Sequence, residues 1–193
     1  MEAIDLLLSR RSAAVLIEPG PDEAALELLL AAGAHAPDHG RLRPWRFIVI
    51  QGRARERLGE LFAERLQRSR PDASPDALAR ERAKALRAPL IIAVAAVTDP
   101  HSAVPEIEQI LCAGAAATNM LLAARALGFN AVWKTGAAAY DETVKRELGI
   151  MPADALVAFL YIGTESPGRD GPTPPRAWRD RASYWPDPPV SGR

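Results

Sequence analysis

The chain has little of several features that would define a protein class directly. Its 193 residues include one cysteine, Cys112, which excludes an internal disulfide framework and a metal site built from several cysteines. The 24 basic side chains balance 24 acidic ones, so the excess positive charge typical of nucleic-acid binding is missing. No apolar run reaches the roughly 18 residues of a membrane span without a charged or turn residue. Glu2 and Asp5 precede the first leucines, unlike a signal peptide. We therefore expect a cytoplasmic protein without a nucleic-acid or membrane partner.

Apolar spacing, capping residues and turn residues divide the chain into helices and strands. The patterns predict helices over 2–11, 22–36, 53–68, 75–87, 105–127 and 140–150, and strands over 46–52, 88–100, 129–136 and 155–164. Because the helices and strands do not alternate strictly, this order favours an α+β fold over a doubly wound sheet. The Arg/Glu-rich stretch 53–87 is typical of a solvated surface.

No glycine-rich nucleotide motif follows a predicted strand, so a phosphate-bearing ligand would have to be held by arginine side chains. Four polar stretches could form such a site: "SRRS" (9–12), "HAPDHGRLRPW" (35–45), "WKTG" (133–136) and "GTESPGRDGPTPPR" (163–176). Each stretch also has a structural explanation. Two arginines near a helix C-terminus complement the helix dipole, a tryptophan is often a core residue, and Thr-Gly is a common turn.

Taken together and in order, these stretches resemble the flavin-dependent nitroreductase family, and most closely its short YdjA-like members. "LLLSRRS" is similar to the family's N-terminal helix that ends in Arg-x-Ser, and "HAPDHGRLRPWRFIVI" to its loop before the first strand. "GFNAVWKTG" resembles the strand and turn beside the flavin, and "FLYIGTES" the last strand with its glycine. The resemblance covers the chain from residue 4 to about residue 165.

The resemblance implies an α+β, nitroreductase-like fold: a central, mostly antiparallel sheet flanked by helices, in an intertwined homodimer. Residues 1–165 would form the FMN-binding domain, and residues 166–193 a C-terminal extension that wraps the partner subunit. It also implies an FMN-dependent NAD(P)H oxidoreductase with FMN at the subunit interface. Two electrons would pass, by ping-pong hydride transfer, to a small-molecule acceptor such as a nitroaromatic or a quinone.

The same resemblance assigns the site by position, with no catalytic side chain and no metal. The implied FMN-binding residues are Arg10, Arg11, Ser12, His39, Trp133, Lys134, Thr135, Gly136, Arg169 and Arg176. Arg10 and Ser12 would hold the phosphate and ribityl chain, with Arg11 beside them. His39 would reach the ring from the other subunit, and residues 133–136 would line the isoalloxazine. Either Arg169 or Arg176 would complete the phosphate site.

The sequence departs from the family pattern at two places. Many members have a lysine where this chain has Ala14, and many have a Ser-x-x-Asn-x-Gln loop where this chain reads "DHGRLR". Either His39 or Arg41 could replace those loop contacts.

Elementary chemistry agrees with the implied roles. Arginine binds phosphate through planar, charge-assisted hydrogen bonds. A flavin carries out hydride transfer itself, while the protein positions it and stabilises the negative charge of the reduced ring. Lys134 and Arg41 are the candidates for stabilising that charge. An FMN storage or sensing module, a flavin-consuming enzyme and a scaffold without cofactor are the alternatives.

Overall fold

The fold is built around a strand of small and β-branched apolar residues that is buried along its whole length. The computed structural model describes residues 2–167 and 177–186. The helices of this part are α1 (Ala3–Ser9), α2 (Glu23–Ala34), α3 (Arg53–Ser69), α4 (Pro75–Lys84), α5 (Glu106–Ala126) and α6 (Glu142–Glu147). The strands are β1 (Leu16–Ile17), β2 (Trp45–Gln51), β3 (Leu90–Ala96), β4 (Asn130–Lys134) and β5 (Ala155–Glu165). All seven residues of β3 are buried.

The helix boundaries follow from local sequence. The side chains of Asp22, Ser74 and Asp141 accept backbone N–H groups in the first turns of α2, α4 and α6. Gly128 has a positive φ of 87° just beyond the end of α5, a conformation that glycine adopts without strain. The predicted elements are therefore all present, with ends shifted by a few residues.

The sheet is antiparallel throughout, and β5 lies in its middle. Strand β5 pairs with β3 along one edge and with β4 and β1 along the other, while β2 pairs with the far edge of β3. The expected mostly antiparallel sheet is confirmed. The two-residue strand β1 was not predicted, since two residues are too few for an alternating pattern to be recognised.

Helices cover both faces of this sheet. Ile91 and Ala93 of β3 pack with Phe62 of α3 in one hydrophobic cluster. Ile92 and Val94 of the same strand pack with residues of α2 and α5 in the other. Because successive strand residues point to opposite faces, one apolar strand supplies both clusters. The α+β arrangement of a sheet between helices is confirmed.

Helix α5 is the only helix of the described part that is long and apolar enough, by length and composition, to cross a membrane. The sequence patterns do not predict a segment with the length and composition of a membrane span. Eight residues of α5 are buried, among them Ala113, Ala117 and Met120 in the cluster against the sheet. The position of α5 is that of a core helix, and a core helix can have this composition.

Helices α3 and α4 lie unusually close together, which shapes one side of the molecule. A Cβ atom on Gly59 would stand 2.7 Å from the backbone carbonyl oxygen of Arg82, so only glycine allows this approach. An Arg82–Glu60 ion pair, with Nε 2.8 Å from Oε2, spans the same contact. Beyond this pair, the chain turns at the end of α4 and enters β3.

Candidate functional site

A cavity of about 440 Å³ opens between the α3–α4 pair, the end of β4 and the segment before β1. Its volume is within the ~300–1,000 Å³ typical of small-molecule sites. The lining residues are Ala13, Ala14, Leu16, Phe62, Arg65, Leu66, Arg70, Glu81, Lys84, Arg87, Val132, Lys134, Thr135, Gly136, Ala137, Ala138, Phe159 and Tyr161. Four of the five basic side chains of the lining come from α3, α4 and the residues that follow them, and the fifth, Lys134, comes from β4.

The charge of the lining is strongly positive. Five basic side chains line the cavity and Glu81 is the one acidic side chain among them. Glu81 forms an ion pair with Lys84 on the same helix. The side chains of Arg70 and Lys134 form no hydrogen bond or ion pair within residues 2–167 and 177–186. The buried Nε of Arg65 also has no partner there. The cavity therefore presents several free cationic donors to a ligand.

Tyr161 lies on β5 and lines the cavity, with only 5 % of its surface exposed. Its hydroxyl makes no hydrogen bond to any described residue. Burial raises the pKa of Tyr161 to about 12, while Arg87 lowers the pKa and Glu81 raises it. The hydroxyl therefore stays protonated at neutral pH and is available as a donor.

The segment after α1 runs alongside β4 and enters the cavity. Ser12 and Ala131 form an isolated parallel bridge, and the backbone N–H of Ala13 donates to the carbonyl oxygen of Ala131 at 3.2 Å. Arg10 is half-buried at the end of α1 and forms no hydrogen bond or ion pair with any residue that the structure describes. The chain thus passes from Arg10 to the cavity wall at Ala14 within four residues.

Arg11, in contrast, is engaged by the last strand. Its Nη1 and Nη2 donate to the two carboxylate oxygens of Glu165 at 2.6 and 2.7 Å. The amide nitrogen of Asn130 donates to the same carboxylate at 2.5 Å. This pair fixes the chain just after α1 against β5 and β4. Arg11 therefore has a structural role, whereas the side chain of Arg10 has no partner in the described part of the chain.

The stretch 133–136 is divided between two faces of the sheet. Lys134, Thr135 and Gly136 line the cavity, and Gly136 has a φ of 62° that favours glycine. Trp133 packs on the opposite face with the cluster around α5. Strand alternation is the reason, since Lys134 and Trp133 are neighbours and must point opposite ways. The structure brings three of these four predicted residues together and separates the fourth from them.

His39 does not line this cavity within the chain. It lies in a 3₁₀ helix (His39–Arg41), where its Nδ1 is 2.7 Å from Oε2 of Glu108 at the start of α5. Asp38 accepts the backbone N–H groups of Leu42 and Arg43. The non-glycine residues Arg41 and Arg43 have positive φ values of 56° and 50°. Such backbone strain is often found in loops that serve a function.

Two predicted residues lie outside the described residues: Arg169 and Arg176. Four basic residues of the site were not predicted from sequence: Arg65, Arg70, Lys84 and Arg87. The stretch 53–87 was interpreted as solvated surface, and most of its charged residues are indeed exposed. The ends of α3 and α4 reach the cavity because these helices pack so closely. A long-range contact of this kind leaves no local signal in the sequence.

No group of three or more His, Cys, Asp or Glu side chains that could hold a metal ion occurs in the described ranges. The fold is that of an α+β protein with a cationic cavity against an antiparallel sheet. The sequence profile of the nitroreductase family matches residues 8–164, and the chain belongs to this family. The resemblance noted in the sequence is thereby confirmed.

Individual relatives agree with this assignment. The chain is 41 % identical to "Putative NAD(P)H nitroreductase YdjA" of Escherichia coli strain K12, over 85 % of this chain and 88 % of the relative. It is 26 % identical to a "putative nitroreductase in complex with FMN" from Desulfovibrio desulfuricans, with a TM-score of 0.71 and coverage of 96 % and 97 %. A nitroreductase-like protein of Bacillus cereus has a TM-score of 0.78 at 21 % identity, covering 97 % of each chain. This last similarity confirms the nitroreductase-like fold.

Proposed function

We propose that the protein is an FMN-dependent NAD(P)H oxidoreductase that reduces a nitroaromatic, a quinone or a similar acceptor by ping-pong hydride transfer. The single observation that carries the proposal is the cationic cavity beside Lys134, Thr135 and Gly136 in a chain of the nitroreductase family. An FMN-bound relative with the same fold supports the choice of cofactor.

The residues present fit FMN in two respects. The free guanidinium of Arg10 lies just before the cavity wall, where it can bind a phosphate through charge-assisted hydrogen bonds. Ser12 lies two residues after Arg10, and its hydroxyl can donate a hydrogen bond. When bound, the flavin would supply hydride transfer from NAD(P)H to the acceptor.

The side chains of the cavity have their own tasks in this chemistry. Lys134 and Lys84 would stabilise negative charge that develops during reduction, because electrostatic interactions are strong in a site from which water is partly excluded. Phe159 and Val132 would cover an apolar ring from the sheet side. Each turnover consumes one hydride and one proton. A nitro group then becomes a nitroso group with release of water, and a quinone becomes a hydroquinone.

We further propose that the protein is a homodimer. Helix α1 has no buried residue, and Ile4, Leu7 and Leu8 are exposed on it. Ile107 and Leu111 are exposed on α5, against which α1 packs. A continuous apolar surface of this kind is typical of a subunit interface. His39, near the start of α5, would reach the partner's cavity across it. The C-terminal extension, with the exposed Trp178 and Trp185, would wrap the partner.

The proposed function is tested by the visible spectrum of the purified protein, recorded before and after anaerobic addition of NADH or NADPH. Flavin bands that bleach rapidly support the proposal and show which donor is preferred. Bound flavin that is reduced only slowly would favour a storage or sensing module, and breakdown of the reduced flavin in oxygen would favour a flavin-consuming enzyme. A protein that binds no FMN after reconstitution would contradict all three. A cytoplasmic location stays a prediction.

A further inference from the structure

The cavity carries more positive charge than the proposed cofactor needs. Five cations face one carboxylate, and that carboxylate is already paired with Lys84. An oxidised isoalloxazine ring is uncharged, and Arg10, the residue proposed for its phosphate, lies outside the cavity lining. Arg65 and Lys84 are half-buried, and like charges that are partly removed from water destabilise one another unless an anion joins them. The charge balance therefore indicates a second, anionic ligand.

The surplus cations come from the helical wall. Arg65 belongs to α3, Arg70 follows its last residue, and Arg87 lies in the turn after α4. Arg65 has a buried, unpartnered Nε, and its Nη2 donates only to the hydroxyl of Ser69, at 3.3 Å. Arg70 and Arg87 are exposed, and their side chains form no hydrogen bond or ion pair with the described residues. Guanidinium groups suit an oxyanion, which they bind through pairs of hydrogen bonds.

Tyr161 provides an independent observation at the same place. It is 95 % buried by the protein, lines the cavity and has no hydrogen-bond partner among the described residues. Tyr161 and Arg87 both line this cavity. The Tyr161 hydroxyl is thus available to donate a hydrogen bond to a ligand in the cavity. An oxyanion that accepts hydrogen bonds from the arginines could also accept one from Tyr161.

We propose that Arg65, Arg70, Arg87 and Tyr161 form a subsite for a carboxylate or sulfonate group of the electron acceptor, so that the enzyme prefers anionic acceptors. The proposal rests on the proposed function and specifies its substrate class. Lys134, at the end of β4, lies at the boundary between this subsite and the turn of Thr135 and Gly136. The reducible group of the acceptor would then lie beside that turn.

Binding of an unreactive pair of ligands tests the subsite without turnover. Benzoate and benzamide have nearly the same shape, but only benzoate is charged. Isothermal titration of the protein as purified should give a dissociation constant for benzoate about 10-fold lower than for benzamide, as expected for hydrogen bonds to a charged group. The double variant R70Q/R87Q should lose this preference, and Tyr161→Phe should reduce it.

A matched control removes the same charge elsewhere. Arg53 and Arg80 are exposed residues of α3 and α4 that do not line the cavity. The variant R53Q/R80Q should keep the preference for benzoate, which separates a local contact from the general effect of net charge. Equal affinity of the unmodified protein for benzoate and benzamide would overturn the proposal.

The phosphates of NAD(P)H are anionic as well. A turnover experiment therefore distinguishes binding of the electron acceptor by these arginines from binding of the electron donor. 4-Nitrobenzoate and 4-nitrobenzamide form a reducible pair: each nitro group takes up a hydride and a proton, releases water and becomes a nitroso group. The ratio of their kcat/KM values should fall about 10-fold in R70Q/R87Q. The dissociation constant of NAD(P)H, measured in the reductive half-reaction, should change little.

A loss confined to NAD(P)H binding would assign these arginines to the electron donor and overturn the proposal. A protein without a reducible flavin would contradict the proposed function itself. A protein with a reducible flavin but no preference for the anionic ligand would contradict only this inference.

Discussion

Arg11 and Glu165 join the two ends of the described domain through a bidentate ion pair with N–O distances of 2.6 and 2.7 Å. Arg11 follows α1 and Glu165 is the last residue of β5, so 154 positions of sequence separate them. The pair holds the segment that carries Arg10 and Ser12 against the sheet. It is thus a structural support for the proposed phosphate site.

Glu165→Gln should destabilise the protein by about 2 kcal/mol, because Arg11 loses this charged partner in a largely desolvated position. The side chains of Arg11 and Glu165 are only 21 % and 10 % exposed. The free energy of unfolding in urea is the measurement. In the control Glu64→Gln, where Arg57 and Glu64 are about half exposed, a loss of under about 0.5 kcal/mol is expected. Equal losses would show that burial of the Arg11 pair has no energetic consequence.

Arg10→Ala should weaken FMN binding by about 1.5–3 kcal/mol, since a charge-assisted hydrogen bond to the phosphate is lost. Fluorescence titration of the apoprotein measures the affinity. Riboflavin, which lacks the phosphate, serves as the internal control, and its affinity should be the same in the variant and the unmodified protein. A variant with unchanged FMN affinity would show that Arg10 does not bind the phosphate.

Mixing two inactive variants tests whether the site is shared between subunits. His39→Ala and Arg10→Ala proteins, unfolded together and refolded, should regain intact sites in the mixed dimers. If the subunits pair at random, about a quarter of all sites would contain both an intact Arg10 and an intact His39. Flavin content and NAD(P)H oxidation are the measurements, with each variant refolded alone as the control. Absence of recovery would mean that His39 and Arg10 serve the same chain or that His39 does not contact the flavin.

The pKa of Tyr161 predicts a loss of stability at high pH. It is raised from 10.0 to about 12 by burial, so the folded protein holds this proton more tightly than the unfolded chain. The contribution is fully present below pH 10 and is lost as the pH rises from about 10 to about 12. At pH 11 the loss should be about 1 kcal/mol. Comparing the unfolding free energies of the protein and Tyr161→Phe over this range isolates the effect, and parallel curves would contradict it.

Much of the fold follows from local patterns. The capping residues Asp22 and Asp141 and the apolar run of β3 predicted their elements to within a few residues. The order of motifs from "SRRS" to "FLYIGTES" identified the nitroreductase family, which the family profile confirms. These signals survive in sequence because capping, strand alternation and turn geometry act over a few neighbouring residues.

The site was predicted less completely, and the reason is distance along the chain. Lys134, Thr135 and Gly136 line the cavity, whereas Trp133 packs on the other face of the sheet. The assignment of FMN to the predicted residues stays a prediction, as does the division at residue 165. Arg169 and Arg176, the two candidates for completing the phosphate site, lie outside the described residues.

The sequence by itself determined the elements and the α+β character, because those depend on periodicity and local chemistry, and its resemblance to the nitroreductase family implied the antiparallel sheet. Only the tertiary structure decided that Arg11 pairs with Glu165 while Arg10 has no partner in the described part of the chain. It also decided that the arginines at the ends of α3 and α4 line a cavity together with residues of β4 and β5. That outcome depends on how closely two helices pack at Gly59, a contact between residues far apart in sequence that no local pattern encodes.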